Sequence, residues 1–395
     1  MKFKDLMNKY KEGLASDEEM RVIEEELEKY EAIEEYLADN MDMDFDTPLM
    51  INEHKNETRK LKKSVNNRLR KIVFASVGIM TAILISIFFI ISPIVDSMYY
   101  NPTEVTLGEN QHDINFDLKA IIELKYPGYA LSSGVDVDGL GFGEYDISYF
   151  RMNFFKQETD SVNSKLKRNE YITNHTSWTN DSSFNFQTVR LPQWFTEEDH
   201  KDQKERVTDH ISQLSPVAYT SSWLTFDRDL TMEEFWQLEL DYPDITFAWA
   251  GVRTASVGEN IIDLLGFSTM ETSGIMLMDT PSQEKYPAFD FLEWLVNPVG
   301  FDKDAAHIEP RGYELHFKDL LKYSIDRKAA INVLEQRPLR HEYYEDTLAY
   351  VEEHGVKTFG VMAFANAEDL IELLDNDIIS TLELNQVTAS KRYIY

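Results

Sequence analysis

The chain contains no cysteine. That removes disulfides and thiolate metal sites, and with them a disulfide-stapled ectodomain. Positive charge is scarce. Lys and Arg number 39 against 70 Asp and Glu, for a formal net charge of −31. A general nucleic-acid binder needs a cationic surface to release counterions from phosphates, so nucleic acid is not an expected partner. Catalytic signatures are missing too. The nine histidines are scattered, no His-Glu-x-x-His or Gly-x-Ser-x-Gly occurs, and a cysteine nucleophile is impossible. Paired carboxylates carry no information in so acidic a chain. His200 and His210 sit among charges and read as part of a solvated helix. Asp42, Asp44 and Asp46 lack the glycine and closing glutamate of a calcium loop. Neither an enzyme nor a metal or other cofactor is expected. What is present is folded matter: 395 residues, 43% apolar and 12% aromatic, enough for two or three domains. The six tryptophans could line a sugar groove, but the periodicity around most of them favours core packing.

One stretch stands apart. Ile72 to Val95, IVFASVGIMTAILISIFFIISPIV, has no charge over about 24 residues, and about 20 suffice to cross a bilayer. It follows some seventy residues, which argues against a cleaved signal peptide. Pro93 lies near its far end, where a helix tolerates a break. On the near side Arg59, Lys60, Lys62, Lys63, Arg68, Arg70 and Lys71 occur without an acid; the far side begins with Asp96. The positive-inside rule predicts one span, with residues 1–71 cytoplasmic and 96–395 outside. The basic run suits anionic lipid better than nucleic acid.

The N-terminal segment is patterned. Phe3, Leu6, Met7 and Tyr10 recur at helical spacing, and Gly13 supplies a stop. Ser16-Asp17-Glu18-Glu19 reads as a capping box with its acids at the positive end of the helix dipole. Met20, Ile23, Leu27, Tyr30, Ile33 and Leu37 then step by three or four, with glutamates on the other faces. The expectation is a small all-α hairpin with one narrow apolar seam. It can pair with a second copy as a coiled coil, or a partner's helices can complete its core. The acidic shell would suit a partner whose surface is cationic because it normally touches DNA. Residues 38–58 are polar, acidic and interrupted by Pro48, and read as linker.

The stretch YKEGLASDEEMRVIEEELEKYEAIEEYL resembles the N-terminal anti-sigma domain of membrane-bound regulators of extracytoplasmic-function sigma factors. Many members of that family carry a zinc motif on the second helix. Its positions fall here on Glu26, Tyr30 and Ile33, so the resemblance implies a zinc-less version. The layout of hairpin, basic linker, single span and large outer region is similar to that of the sigma factor regulators of Gram-positive bacteria, the family of the Bacillus sigma-M regulator. The partner it implies is an extracytoplasmic-function sigma factor. The residues expected to meet it are Leu6, Tyr10, Leu14, Met20, Ile23, Leu27, Tyr30, Ile33 and Leu37.

The outer region divides, on pattern, into a strand-rich module at 96–200 and an α+β domain at 201–395. The other expected segments are 1–40, 41–71 and 72–95. Tyr145–Phe155 alternates like a strand with one apolar face. Before it, Gly139, Gly141 and Gly143 mark a turn between strands rather than a phosphate loop, because no helix follows; this stretch also resembles a regulator module of the same family. Further on, 217–226, 245–252, 356–364 and 378–387 read as strands. Thr231 with Glu234, and Asn366 with Asp369, open the helices between them. Two strand–helix–strand units flank helices at about 317–334 and 339–354. That plan predicts a sheet of ferredoxin-like character and resembles the family's C-terminal regulator domain.

Three functions follow. The first is a single-pass membrane anti-sigma factor. Its outer region would sense envelope stress or engage a second membrane protein. The second is an envelope scaffold or adaptor whose inner helices dimerise. The third, a signal-anchored cell-envelope hydrolase, is disfavoured by the patterned hairpin, since a simple anchor needs only a few basic residues.

Overall fold

The computed structural model describes residues 16–39, 51–173, 186–190, 192–259, 261, 263–270, 281–282, 284–290 and 308–391. The chain divides into two compact units, Met1–Ala82 and Ile83–Tyr395. In the first, α1 (Asp17–Asp39) is the expected acidic helix. The helix expected before it, with Leu6, Tyr10 and Leu14, lies outside the described residues. Helix α2 (Ile51–Ser86) takes in both the basic run and most of the apolar run. So Ile51–Thr58, at the end of the expected linker, are already helical. Residues 62–96 are the one helical stretch, among those described, long and apolar enough to cross a membrane.

The second unit opens on the end of this helix. A π-helical turn (Ile87–Ile91) leads into a last α-turn (Ser92–Asp96). Pro93 is the physical reason. Its ring removes an N–H and would clash with the carbonyl four residues back. The widened turn relieves this, and Ser92 N–H donates to Ile87 C=O.

Helix α3 (Ile114–Lys125) follows, inside the stretch read as strand-rich. Every residue from Ile114 to Leu124 is buried, polar ones included. Strands β1 (Tyr129–Leu131), β2 (Asp136–Gly141), β3 (Glu144–Asn153), β4 (Glu158–Lys167) and β5 (Glu170–Thr173) form an antiparallel sheet. β1 and β2 share one edge of β3, and β4 takes the other. The glycine-rich stretch is the β2–β3 hairpin turn, with Gly141, Phe142 and Gly143 all at positive φ. Along β3 the buried face carries Tyr145, Ile147, Tyr149, Arg151 and Asn153, while Phe150 is exposed. Arg151 fits there because its guanidinium lies over the Tyr129 ring, 4.6 Å from the centroid.

Helix α4 (Glu197–Ser212) starts at a complete capping box of Thr196 and Asp199. Strand β6 (Tyr219–Thr231) runs into α5 (Met232–Asp241), capped by Thr231 and Glu234 as expected. β7 (Thr246–Val252) and the short β8 (Gly266–Ser268) follow. Three helices come next: α6 (Ile308–Asp326), α7 (Lys328–Leu334) and α8 (Arg340–His354). β9 (Lys357–Asn366), α9 (Ala367–Leu374) and β10 (Ile379–Thr388) complete the unit. Asn366 does not cap α9 by its oxygen; its side-chain amide donates to Asp369 instead (3.0 Å).

The second sheet has the order β10-β6-β9-β7-β8, antiparallel throughout. Each strand–helix–strand unit skips one position, and a strand of the other unit fills the gap. Both faces are covered. Leu224, Ala250, Val361, Ala363 and Ala365 join a core shared with α3, the first sheet and α6–α9. Trp223, Trp249, Met362 and Phe364 join a second cluster with Phe154, Phe155 and Phe186. Trp223 and Trp249 are thus core, as expected. Trp194 is exposed, and Trp178 and Trp294 lie outside the described residues. His200 and His210 sit on α4, where His200 Nδ1 lies 3.0 Å from Ser380 Oγ.

Candidate partner-binding helix

Helix α1 begins where Ser16 predicts. Glu19 N–H donates to Ser16 Oγ (3.4 Å), and Ser16 N–H donates to Glu19 Oε2 (3.0 Å). Two orphan donors are satisfied reciprocally. The helix carries eleven acids and two bases, Arg21 and Lys29. Lys29 Nζ lies 2.8 Å from Glu26 and 3.9 Å from Glu25, and this hydrogen bond and charge hold the ammonium above its ordinary value. The other acids leave a field that favours a cationic surface.

At 3.6 residues per turn, Met20, Ile23, Leu27, Tyr30, Ile33 and Leu37 fall within an arc of about 140°. Ile23 is fully buried and Met20 half-buried. Leu27, Tyr30 and Ile33 are 40%, 65% and 54% exposed. The side chain of Leu37 lies outside the described set, as do Leu6, Tyr10 and Leu14. The seam is therefore closed at its N-terminal end and open from Leu27 onward. Among the described residues no three His, Asp or Glu side chains cluster as metal ligands would.

The second unit holds a polar network that the sequence reading missed. Asp117 is fully buried and accepts from Tyr100 Oη (2.9 Å), Tyr323 Oη (2.7 Å), and Arg327 Nε and Nη2 (2.7 and 2.8 Å). Burial, then the nearby carboxylate, pushes both tyrosines well above their ordinary range. Two residues on, Lys119 Nζ lies 2.7 Å from Glu123 and 3.3 Å from Asp290. Glu123 also meets His316 Nε2 at 2.7 Å, and His316 Nδ1 faces the Ala288 carbonyl at 2.6 Å. Both ring nitrogens therefore have an oxygen partner. Burial alone would raise the Glu123 carboxyl; Lys119 and His316 outweigh it and hold it at about 2. At the end of α3, Lys125 pairs with Glu335, which also meets Arg340 Nε at 2.9 Å. Arg340 in turn reaches Asp263 at 2.7 Å.

These carboxylates already face cations and hydroxyls. A general base needs a free lone pair aimed at a substrate proton. The network is a set of clamps joining α3 to α6, α7 and α8, and it offers no acid–base pair. The only sequence signal for it was an abundance of charge along 113–125, which composition alone explains.

No curated protein and no solved structure matches the chain. Residues 211–386, from the end of α4 into β10, match the family described as "Sigma factor regulator C-terminal", a regulatory rather than catalytic family. The second unit of this chain is thus similar, over residues 211–386, to the C-terminal part of sigma factor regulators.

Proposed function

We propose that the protein is a single-pass membrane anti-sigma factor. Helix α1, with the residues before it, holds an extracytoplasmic-function sigma factor in the cytoplasm, and the region after the span controls the hold from outside. The observation that carries this reading is the coexistence of two features in one chain. One is a C-terminal part matching sigma factor regulators. The other is an acidic helix whose seam at Leu27, Tyr30 and Ile33 is exposed. Residues 62–96 are long enough to cross a membrane, and the seven bases at 59–71 favour a cytoplasmic N-terminus. The interlocked order β10-β6-β9-β7 supports a ferredoxin-like reading of the second sheet, with β8 added at its edge. A second membrane protein would be one way to hold the outer region.

Full burial of a leucine-sized side chain contributes roughly 1.5–3 kcal/mol. Replacing Leu27 and Ile33 together with Asp should thus weaken capture by at least a hundredfold, about 3 kcal/mol. The test is co-purification of the host's extracytoplasmic-function sigma factors with the full chain and with the double variant. Unchanged recovery refutes the interface. A tight homodimer of the N-terminal segment, lost in the same variant, would instead favour the scaffold reading.

A further inference from the structure

We infer that the tip of the β2–β3 hairpin, Leu140 to Gly143, is seated in the lipid of the membrane face from which the outer unit emerges. The inference rests on the reading of residues 72–95 as a span. The tip is fastened to the end of that helix. Phe142 N–H donates to Ser92 Oγ (2.9 Å), and Gly143 N–H donates to Asp96 Oδ1 (2.6 Å). Ser92 Oγ in turn lies 3.3 Å from Asp96 Oδ2, which ties the two acceptors together. The Phe142 ring meets Phe88 edge to face, with centroids 6.2 Å apart.

Depth follows from the helix. Phe88 precedes Asp96 by eight residues, about 12 Å at 1.5 Å each. A crossing of about 20 residues begun at Ile72 ends near Ile91, and a longer one ends later. Either way Phe88 lies inside the hydrocarbon, and a ring in contact with it lies at the same level. The chemistry of the tip agrees. In lipid a backbone polar group must find its partner inside the protein. The N–H groups of residues 142 and 143 are satisfied by Ser92, inside the span, and by Asp96, the first residue after it. Gly143 C=O accepts from Arg168 N–H (2.7 Å), and Phe142 C=O faces Arg168 Nε (3.4 Å). The side chain beside the turn is Leu140, which is exposed. Tyr99 packs on Gly143, as an aromatic residue does at a membrane boundary. The turn is also built for close approach. A Cβ on Gly141 would stand 2.7 Å from Ser92 Oγ, and one on Gly143 would stand 2.9 Å from the Tyr99 ring.

Because the chain lacks cysteine, single thiols can be placed and spin-labelled without background. Leu140→Cys, Phe89→Cys and Val257→Cys all replace exposed side chains. Each full-length variant is reconstituted in phosphatidylcholine–phosphatidylglycerol vesicles. Collisions of the nitroxide with oxygen, which concentrates in lipid, are compared with those of a water-soluble nickel chelate. The expected result is an oxygen-to-nickel ratio at position 140 shifted toward that at 89 and above that at 257. A ratio at 140 equal to that at 257, with 89 still lipid-like, overturns the inference and leaves the span standing. Water-like ratios at both 89 and 140 overturn the span reading and this inference together.

Discussion

Glu123 offers the sharpest test of how the second unit is held together. Its carboxylate is buried beside Lys119 and His316, and is held at about 2 instead of an ordinary 4.5. A folded-state value below the unfolded one adds stability above the unfolded value. That stability is lost as pH falls from about 4.5 toward 2. At about 1.4 kcal/mol for each pH unit, the gap corresponds to about 3 kcal/mol. Glu123→Gln keeps the volume and removes the charge. The variant should be less stable than the parent by about 3 kcal/mol near neutral pH, and the difference should shrink toward zero near pH 2. Urea unfolding of the full chain in detergent, followed by tryptophan fluorescence at several pH values, measures this. The indole of Trp249 donates to the Glu123 carbonyl (2.9 Å) and reports locally. Titrating groups away from Glu123 and its partners are common to both proteins and cancel in the difference. A gap that stays constant across pH, or is below about 1 kcal/mol at neutrality, refutes the assignment.

The Asp117–Arg327 clamp predicts non-additivity. Arg327→Met leaves a buried carboxylate without its cation and should cost about 3–5 kcal/mol in urea unfolding. Adding Asp117→Asn should recover part of that loss, and strictly additive single effects would contradict the clamp. At the other end of the chain, Ser16→Ala removes the acceptor for Glu19 N–H. The first turn of α1 should lose about 1 kcal/mol, read as faster amide exchange at Glu18–Met20 with little change in the second unit.

The fold was legible where local chemistry decides it. Ser16 with Glu19, and Thr231 with Glu234, announce helix starts through bonds three residues apart. β6, β7, β9 and β10 announce themselves by apolar runs between turn residues. Helix α3 was not legible. Asp117, Lys119 and Glu123 interrupt its apolar pattern and look like a solvated face. They are buried only because their partners arrive far along the chain; Arg327 follows Asp117 by 210 residues, and His316 follows Glu123 by 193. The apolar seam of α1 could be read from spacing alone. Its division into a closed part at Ile23 and an open part from Leu27 required the structure.

The order of the second sheet constrains how the chain can fold as it is made. Strand β6 lies between β9 and β10, both of which come more than a hundred residues later. A ribosome therefore delivers the middle of the sheet long before either neighbour exists. Until Lys357 onward has emerged, a thirteen-residue strand has two bare edges. Chains cut short anywhere upstream of β9 would keep those edges for good, and would be sticky rather than merely incomplete.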